Sequence, residues 1–127
     1  MGKLYPGAFE ILKCLASLHE LFLVSKEERG RKEVLESLGI KDFFRETVFT
    51  GKKTPEIFSA MVGDGKKVVV VGDRIKGEIS IGNKLNYITV WIKQGKFQNE
   101  IPSHRIEEPS HTISDIRELE EILKKYE

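Results

Sequence analysis

The chain has 127 residues, of which 39% are apolar, and its 21 basic and 20 acidic side chains leave a net charge of +1. This length and composition predict one domain, residues 1–127, with enough chain to form a real core. The charge is too even for a nucleic-acid surface, and no apolar stretch approaches the roughly 20 residues that span a bilayer. We therefore expect a cytoplasmic protein that binds neither nucleic acid nor membrane. The 32% charged fraction, rich in Lys and Glu, is typical of proteins from hot environments.

Short apolar runs alternate with stretches of helical period, which indicates an α/β fold with a parallel sheet covered by helices. The first helix opens at Pro6-Gly7, and its apolar residues recur at spacings of three and four: Ala8, Ile11, Leu12, Leu15 and Leu18. The run ELFLVS then predicts a buried strand. Ser25 and Glu28 have the spacing of a capping box that starts the second helix, and Gly39 ends that helix.

The second half of the chain repeats this alternation. ETVFTG predicts the second strand, and Thr54-Pro55 has the sequence of an N-cap followed by the first residue of a helix. VVVVG predicts the third strand, followed by a helix through Ile75, Ile79 and Leu85, and by a fourth strand over residues 87–92. After a polar loop, HTIS predicts a short edge strand, and Ser114 is expected to cap the last helix.

Polar residues follow three of the predicted strands at the point where each strand ends. They are Ser25, the pair Lys52 and Lys53, and Asp73. Ligands of such sheets bind beyond the carboxyl ends of the strands. A hydroxyl, an ammonium group and a carboxylate there suit a phosphate group with a divalent cation. Each residue alone has a simpler interpretation: Ser25 as a helix cap, the lysines as solvated side chains, and Gly72-Asp73 as a turn.

Four segments together resemble the haloacid dehalogenase (HAD) superfamily of Mg²⁺-dependent phosphohydrolases: LFLVS, GKKTPEIF, VVVVGDRIKGEISIGNKLNYITVWIKQGK and TISDIRELEEIL. The resemblance covers nearly the whole chain. It implies that Ser25 and either Lys52 or Lys53 bind phosphate and that Asp73 binds the metal. Glu78 stands where the family usually carries a second Asp. The expected partner is phosphate or a small phosphorylated molecule.

The chain departs from the family in its first motif. The family carries Asp-x-Asp-x-Thr at the end of its first strand, which supplies the nucleophile and the general acid/base. No Asp-x-Asp occurs in the 127 residues, and only four residues precede Tyr5. The expectation is a chain without catalytic residues and without the cap domain of many relatives, retaining a crevice for phosphate and Mg²⁺.

The missing strand lies, in the family, between the strands that end in Ser25 and Asp73. Losing it removes several side chains, each worth roughly 1.5–3 kcal/mol when buried. Closure of the flanking strands predicts a three-layer sandwich around a five-stranded parallel sheet in the flavodoxin-like order 2-1-3-4-5. The alternative is a homodimer that fills the gap.

Three functions remain from these observations. The first is a phosphohydrolase whose nucleophile strand is encoded upstream, and the second is an inactive binder of phosphate or a nucleotide. The third is a structural or interaction module without a ligand, in which Ser25 and Asp73 only complete the ends of strands. A receiver-type signalling domain is disfavoured, because it needs an acidic pair where this chain has Ser25.

Overall fold

The computed structural model describes residues 7–26 and 30–126. The chain divides into two compact units, Met1–Lys53 and Thr54–Glu127. Both units are built from helices and parallel strands, as the alternating sequence pattern predicts. Within the described ranges, no helix combines the length and the apolar character needed to cross a membrane.

The first unit contains two helices and a two-stranded parallel sheet. Its elements are α1 (Ala8–Leu18), β1 (Phe22–Lys26), α2 (Arg31–Ser37) and β2 (Glu46–Thr50). Helix α1 buries Ala8, Ile11 and Leu15 on one stripe, in agreement with the spacing of its apolar residues. Leu18, which the same spacing places on this face, is 64% exposed because the helix ends there.

The start of α2 differs from the prediction. The helix begins at Arg31, behind Gly30 at φ 80°, and no side chain caps it. Ser25 lies inside β1, paired with Phe49 of β2, so it cannot cap a helix that begins six residues later. The predicted capping box is therefore wrong, and its second member, Glu28, lies outside the described residues. The predicted end is confirmed, since Gly39 adopts the left-handed conformation (φ 74°) that a helix terminus favours.

The second unit places its helices around a three-stranded parallel sheet of order β3-β4-β5. Its elements are α3 (Pro55–Val62), β3 (Val69–Gly72), α4 (Ser80–Lys84), β4 (Ile88–Ile92), β5 (His111–Ile113) and α5 (Leu119–Lys124). A helical turn that is kinked at Gly77, Ile75–Ile79, precedes α4. Ile75 and Ile79 are fully buried and pack with Trp91 of β4, so the turn after β3 is tied to the core of this unit.

The two helix starts predicted for this unit have different outcomes. Thr54 is confirmed as the N-cap of α3, because its Oγ1 accepts the N–H of Ile57 (3.4 Å) and Pro55 follows as the first helical residue. Ser114 is not the cap of the last helix. Asp115 takes that position and forms a capping box with Glu118 over a single 3₁₀ turn that leads into α5.

The prediction of one five-stranded sheet is wrong. The strand pairs β1–β2, β3–β4 and β4–β5 are parallel as expected, but in the described residues no ladder joins β1 to β3. Ser25 and Asp73 therefore do not follow adjacent strands of one sheet. The prediction assumed that losing the buried side chains of the family's first strand draws the two flanking strands together. Instead β1 and β3 are only five and four residues long and largely half-buried. Folded proteins tolerate short edge strands of this kind.

We predict that Asp115 makes the stability of the chain depend on acid pH. Hydrogen bonds from the Arg117 side chain and backbone hold the pKa of Asp115 at about 2, below its ordinary 3.8. A carboxylate with a lowered folded-state pKa stabilises the fold above its ordinary pKa, and that contribution is lost as the pH falls from about 4 to about 2. Thermal melts should show Asp115→Asn less stable than wild type above this range, with a gap that narrows below it.

The control for this comparison is Asp64→Asn, at an exposed position in a bend. A gap between wild type and Asp115→Asn that stays constant between neutral pH and about pH 2 would contradict the prediction, because linkage requires the gap to follow the protonation of Asp115.

Candidate functional site

Ser25 lies near the carboxyl end of β1 and is 8% exposed. Its Oγ accepts a hydrogen bond from Nη1 of Arg31 (3.1 Å), at the start of α2. A buried hydroxyl beside a guanidinium is a suitable environment for an anion, since both groups can donate to phosphoryl oxygens. The sequence prediction included Ser25 and missed Arg31. The signal for Arg31 was a basic residue at the first turn of the helix that follows β1.

The two candidate lysines follow β2, at the same end of the two-stranded sheet as Ser25. Thr50 and Lys52 form a tight turn: the Thr50 hydroxyl donates to the Lys52 carbonyl (2.9 Å), and the Lys52 N–H donates to Thr50 Oγ1 (3.2 Å). Lys52 is exposed and Lys53 is half-buried. Both lysines follow the carboxyl end of β2, and both are therefore candidates for binding phosphate.

Asp73 and Glu78 lie at the carboxyl end of β3, in the second unit. Asp73 follows the last residue of β3, and its backbone carbonyl accepts the indole N–H of Trp91 (3.0 Å). Glu78 lies in the kinked turn Ile75–Ile79 and folds back onto Gly72. A Cβ at position 72 would lie 2.7 Å from Glu78 Cβ and 3.1 Å from Glu78 Oε2. The absence of a side chain at Gly72 therefore lets a second carboxylate approach the residue that precedes Asp73.

These two carboxylates fit a magnesium ion by the chemistry of their donor atoms. Both offer only oxygen, which Mg²⁺ prefers, and Glu78 Oε2 is buried. In the described part of the chain, no three His, Cys, Asp or Glu side chains group as metal ligands. Mg²⁺ usually takes one or two carboxylates and completes its shell with water and phosphate, whereas structural zinc needs four nitrogen or sulfur ligands. The pair of carboxylates, Asp73 and Glu78, therefore suits Mg²⁺ and not structural zinc.

The turn that carries these carboxylates is bound by the polar segment 95–108. Glu100 Oε1 accepts the N–H of Ile75 (3.0 Å), and its Oε2 lies 3.7 Å from Nε of Arg74. Glu107 Oε1 accepts from Nζ of Lys76 (3.0 Å). The sequence pattern of this segment predicts only a polar loop, and it does not single out either glutamate. The available signal was charge complementarity with the basic residues that follow Asp73.

Glu107 is held in its charged form by the same contacts. The Ser103 N–H donates to its Oε1 (2.8 Å), and together with the Lys76 ammonium this bond keeps the pKa of Glu107 below its usual range. The interaction is therefore a charge-assisted one at neutral pH.

A cavity of about 410 Å³ lies elsewhere in the first unit, between α2 and β2. None of the predicted site residues lines it. Its walls are formed by Lys32, Leu35, Lys41, Asp42, Phe44, Arg45, Glu46, Thr47 and Phe49. Two of its cations are already engaged, Arg45 with Glu20 (2.6 Å) and Lys41 with Glu36 (3.3 Å). This cavity is therefore not part of the candidate site.

Comparison with known protein families gives a match over residues 49–119 to the family described as HAD-hydrolase-like. This range is more than half of the chain and includes Lys52, Lys53, Asp73 and Glu78. The chain belongs to the HAD-like hydrolases. The resemblance recognised from the sequence segments is confirmed. Ser25 lies outside the matched range, so its candidacy rests on the sequence resemblance and on its position near the end of β1.

One curated relative of this HAD-like chain is the glyceraldehyde 3-phosphate phosphatase of Methanopyrus kandleri, with 32% identity. The alignment covers 68% of this chain and 44% of the relative, so the chain spans less than half the length of that enzyme.

Solved structures support the HAD-like fold. A 2-haloacid dehalogenase from Pseudomonas syringae pv. Tomato has a TM-score of 0.79 at 21% identity, covering 98% of this chain and 55% of the dehalogenase. A protein from Listeria monocytogenes serotype 4b has a TM-score of 0.78 at 20% identity, and the match covers 96% of this chain and 80% of the Listeria protein. At these identities the likeness concerns the fold alone.

We predict that Gly72→Ala destabilises the chain, because its Cβ would overlap with Glu78. Overpacking of this kind costs about 1–3 kcal/mol in the free energy of unfolding. Urea unfolding of the variant measures the loss.

The matched control is Gly51→Ala, since a Cβ at Gly51 meets no atom within 4 Å. Its free energy of unfolding should stay within about 0.5 kcal/mol of wild type. Equal stability of the two variants would show that Glu78 does not pack on Gly72.

Proposed function

We propose that this HAD-like chain binds Mg²⁺ with Asp73 and Glu78, and the phosphate group of a small phosphorylated molecule with Ser25 and Lys52 or Lys53. The observation that carries the proposal is the approach of Glu78 to Gly72, which places a second carboxylate beside the residue that precedes Asp73. The 32% sequence identity to a glyceraldehyde 3-phosphate phosphatase, in an alignment that covers 68% of this chain, supports a phosphorylated ligand. Mg²⁺ is the cation that HAD phosphatases generally use.

Each residue of this proposal has a supporting role in phosphate chemistry. The Ser25 hydroxyl and a lysine ammonium donate hydrogen bonds to phosphoryl oxygens and offset their charge. Asp73 and Glu78 would supply oxygen ligands to a bound magnesium ion, a cation that offsets negative charge in phosphate chemistry. None of these residues stands in the Asp-x-Asp arrangement that attacks phosphorus and protonates the leaving oxygen in the family. We therefore propose binding without hydrolysis by these 127 residues.

Binding predicts a shift in thermal stability. A ligand at 100 times its dissociation constant stabilises the folded chain by about 2.7 kcal/mol. Mg²⁺ should raise the melting temperature of wild type and fail to raise that of Asp73→Ala, while phosphate should fail to stabilise Ser25→Ala. Asp64→Ala removes an exposed carboxylate in a bend outside the proposed site and should respond to Mg²⁺ like wild type.

Melts of wild type that superimpose with and without millimolar Mg²⁺ and phosphate would refute the binding proposal. They would favour the alternative, a structural or interaction module without a ligand.

Catalysis is tested with p-nitrophenyl phosphate and Mg²⁺. We expect the chain alone to release p-nitrophenol at the background rate, because phosphate monoesters need acceleration of up to about 10²¹-fold and no nucleophile is in place. A chain extended upstream by a strand that carries Asp-x-Asp should hydrolyse the ester, because that strand would supply the nucleophile and the general acid/base.

Asp73→Asn is the control for the opposite outcome. Hydrolysis by wild type that disappears in this variant would mean that Asp73 acts as a nucleophile, and the proposal of binding without hydrolysis would be wrong.

A further inference from the structure

The turn after β3 is attached to the segment of residues 95–108, here called the anchoring segment. Two glutamates of this segment make charged contacts with the turn, and each contacts a different part of it. Both are largely buried, with 11% of each side chain exposed. Carboxylates are seldom buried to this extent unless they are paired. The contacts of Glu100 and Glu107 with the turn are therefore specific structural interactions, unlike those of charged side chains on a solvated surface.

The first anchor, Glu100, binds the start of the turn. It accepts the backbone N–H of Ile75 at 3.0 Å and lies 3.7 Å from the guanidinium of Arg74. Arg74 also stacks over the ring of Phe97 in the anchoring segment, 4.5 Å from its centroid. Arg74 and Ile75 immediately follow Asp73, so Glu100 fixes the backbone next to the first proposed metal ligand.

The second anchor, Glu107, binds the middle of the turn. Its Oε1 accepts from the Lys76 ammonium at 3.0 Å and from the Ser103 N–H at 2.8 Å. The Lys76 ammonium also donates to the Ser103 hydroxyl at 3.0 Å. Lys76 is two residues before Glu78, so this contact holds the backbone that leads to the second proposed metal ligand.

The geometry of the turn explains why it needs these contacts. Residues Ile75–Ile79 form a turn that is kinked at Gly77, where φ is −114° and ψ is −106°, outside helical geometry. The N–H groups of Gly77 and Ile79 both donate to the Arg74 carbonyl, at 3.2 and 3.4 Å, in place of the regular α-helical pattern. Regular α-helical hydrogen bonds do not fix the orientation of Glu78, because the turn deviates from them at Gly77.

We propose that Glu100 and Glu107 are positioning residues that hold Asp73 and Glu78 in the arrangement that binds Mg²⁺. This inference rests on the proposed magnesium site. It assigns the anchoring segment a role in metal affinity, although neither glutamate is itself proposed as a ligand. Residues that orient metal ligands typically change metal affinity by about 10–100-fold when they are removed.

Isothermal titration with Mg²⁺ on the full chain tests this role. Glu100→Ala removes the acceptor for Ile75 and the charge beside Arg74, and we expect its affinity for Mg²⁺ to fall about tenfold or more. Glu100→Gln keeps an acceptor oxygen for the Ile75 N–H and should retain more affinity than Glu100→Ala. Glu107→Ala should weaken binding in the same direction as Glu100→Ala.

The matched control is Glu108→Ala, which removes one negative charge from an exposed position in the same segment. It should bind Mg²⁺ like wild type, which separates positioning from a general loss of negative charge. Without metal, amide hydrogen exchange of Ile75 should be faster in Glu100→Ala than in wild type or Glu108→Ala. This readout does not depend on metal binding.

The outcomes separate the inference from the proposed function. If wild type binds Mg²⁺ and Asp73→Asn does not, but Glu100→Ala and Glu107→Ala bind like Glu108→Ala, the positioning role is refuted and the metal site stands. Exchange of the Ile75 amide at an unchanged rate in Glu100→Ala also refutes the positioning role. If wild type binds no Mg²⁺, the proposed metal site and the positioning role both fall.

Discussion

A helical turn that starts directly after a strand leaves backbone N–H groups without partners in its own first turn, and these groups need acceptors from elsewhere. After β3 this requirement is met from a distant part of the chain, because the Ile75 N–H donates to Glu100, 25 residues later. The turn can then enter the core through Ile75 and Ile79, both fully buried. The backbone that carries Asp73 and Glu78 depends on this long-range hydrogen bond.

The anchoring segment, residues 95–108, is fixed at its far end by a polar cluster around the fully buried Thr89. The hydroxyl of Thr89, fully buried in β4, donates to Asn83 Oδ1 (2.9 Å) and accepts the Ser110 N–H (3.0 Å). Asn83 in turn donates to the carbonyls of Ile106 and Glu108 at 2.7 and 2.8 Å. A satisfied network of this kind specifies one arrangement of a loop more strongly than apolar contacts do. Residues 95–108 are therefore held against the rest of the second unit at both ends.

Features of the fold that depend on neighbouring residues were predictable from the sequence. The Thr54-Pro55 helix start and the Gly39 helix end follow from local backbone chemistry and are confirmed. Predictions failed where two neighbours had similar chemistry or where distant elements competed. Ser114 and Asp115 are both good caps, and only the structure shows that Asp115 is the cap. Ser25 has the spacing of a cap, but its pairing with β2 places it inside a strand.

The residues of the candidate site also divide into those that the sequence predicts and those that only the fold reveals. Asp73 and Glu78 became candidates because they follow a strand in a pattern that resembles a known family, and such patterns are built from residues that bind ligands in the family. Glu100 and Glu107 touch only the backbone and side chains of this chain. Their position in a polar loop carries no signal until the fold brings that loop to Arg74 and Lys76. Complementary charge between the two segments was visible in the sequence, but solvated surfaces carry the same pattern. Burial is what distinguishes the two cases, because a largely buried carboxylate without a donor would be strongly disfavoured.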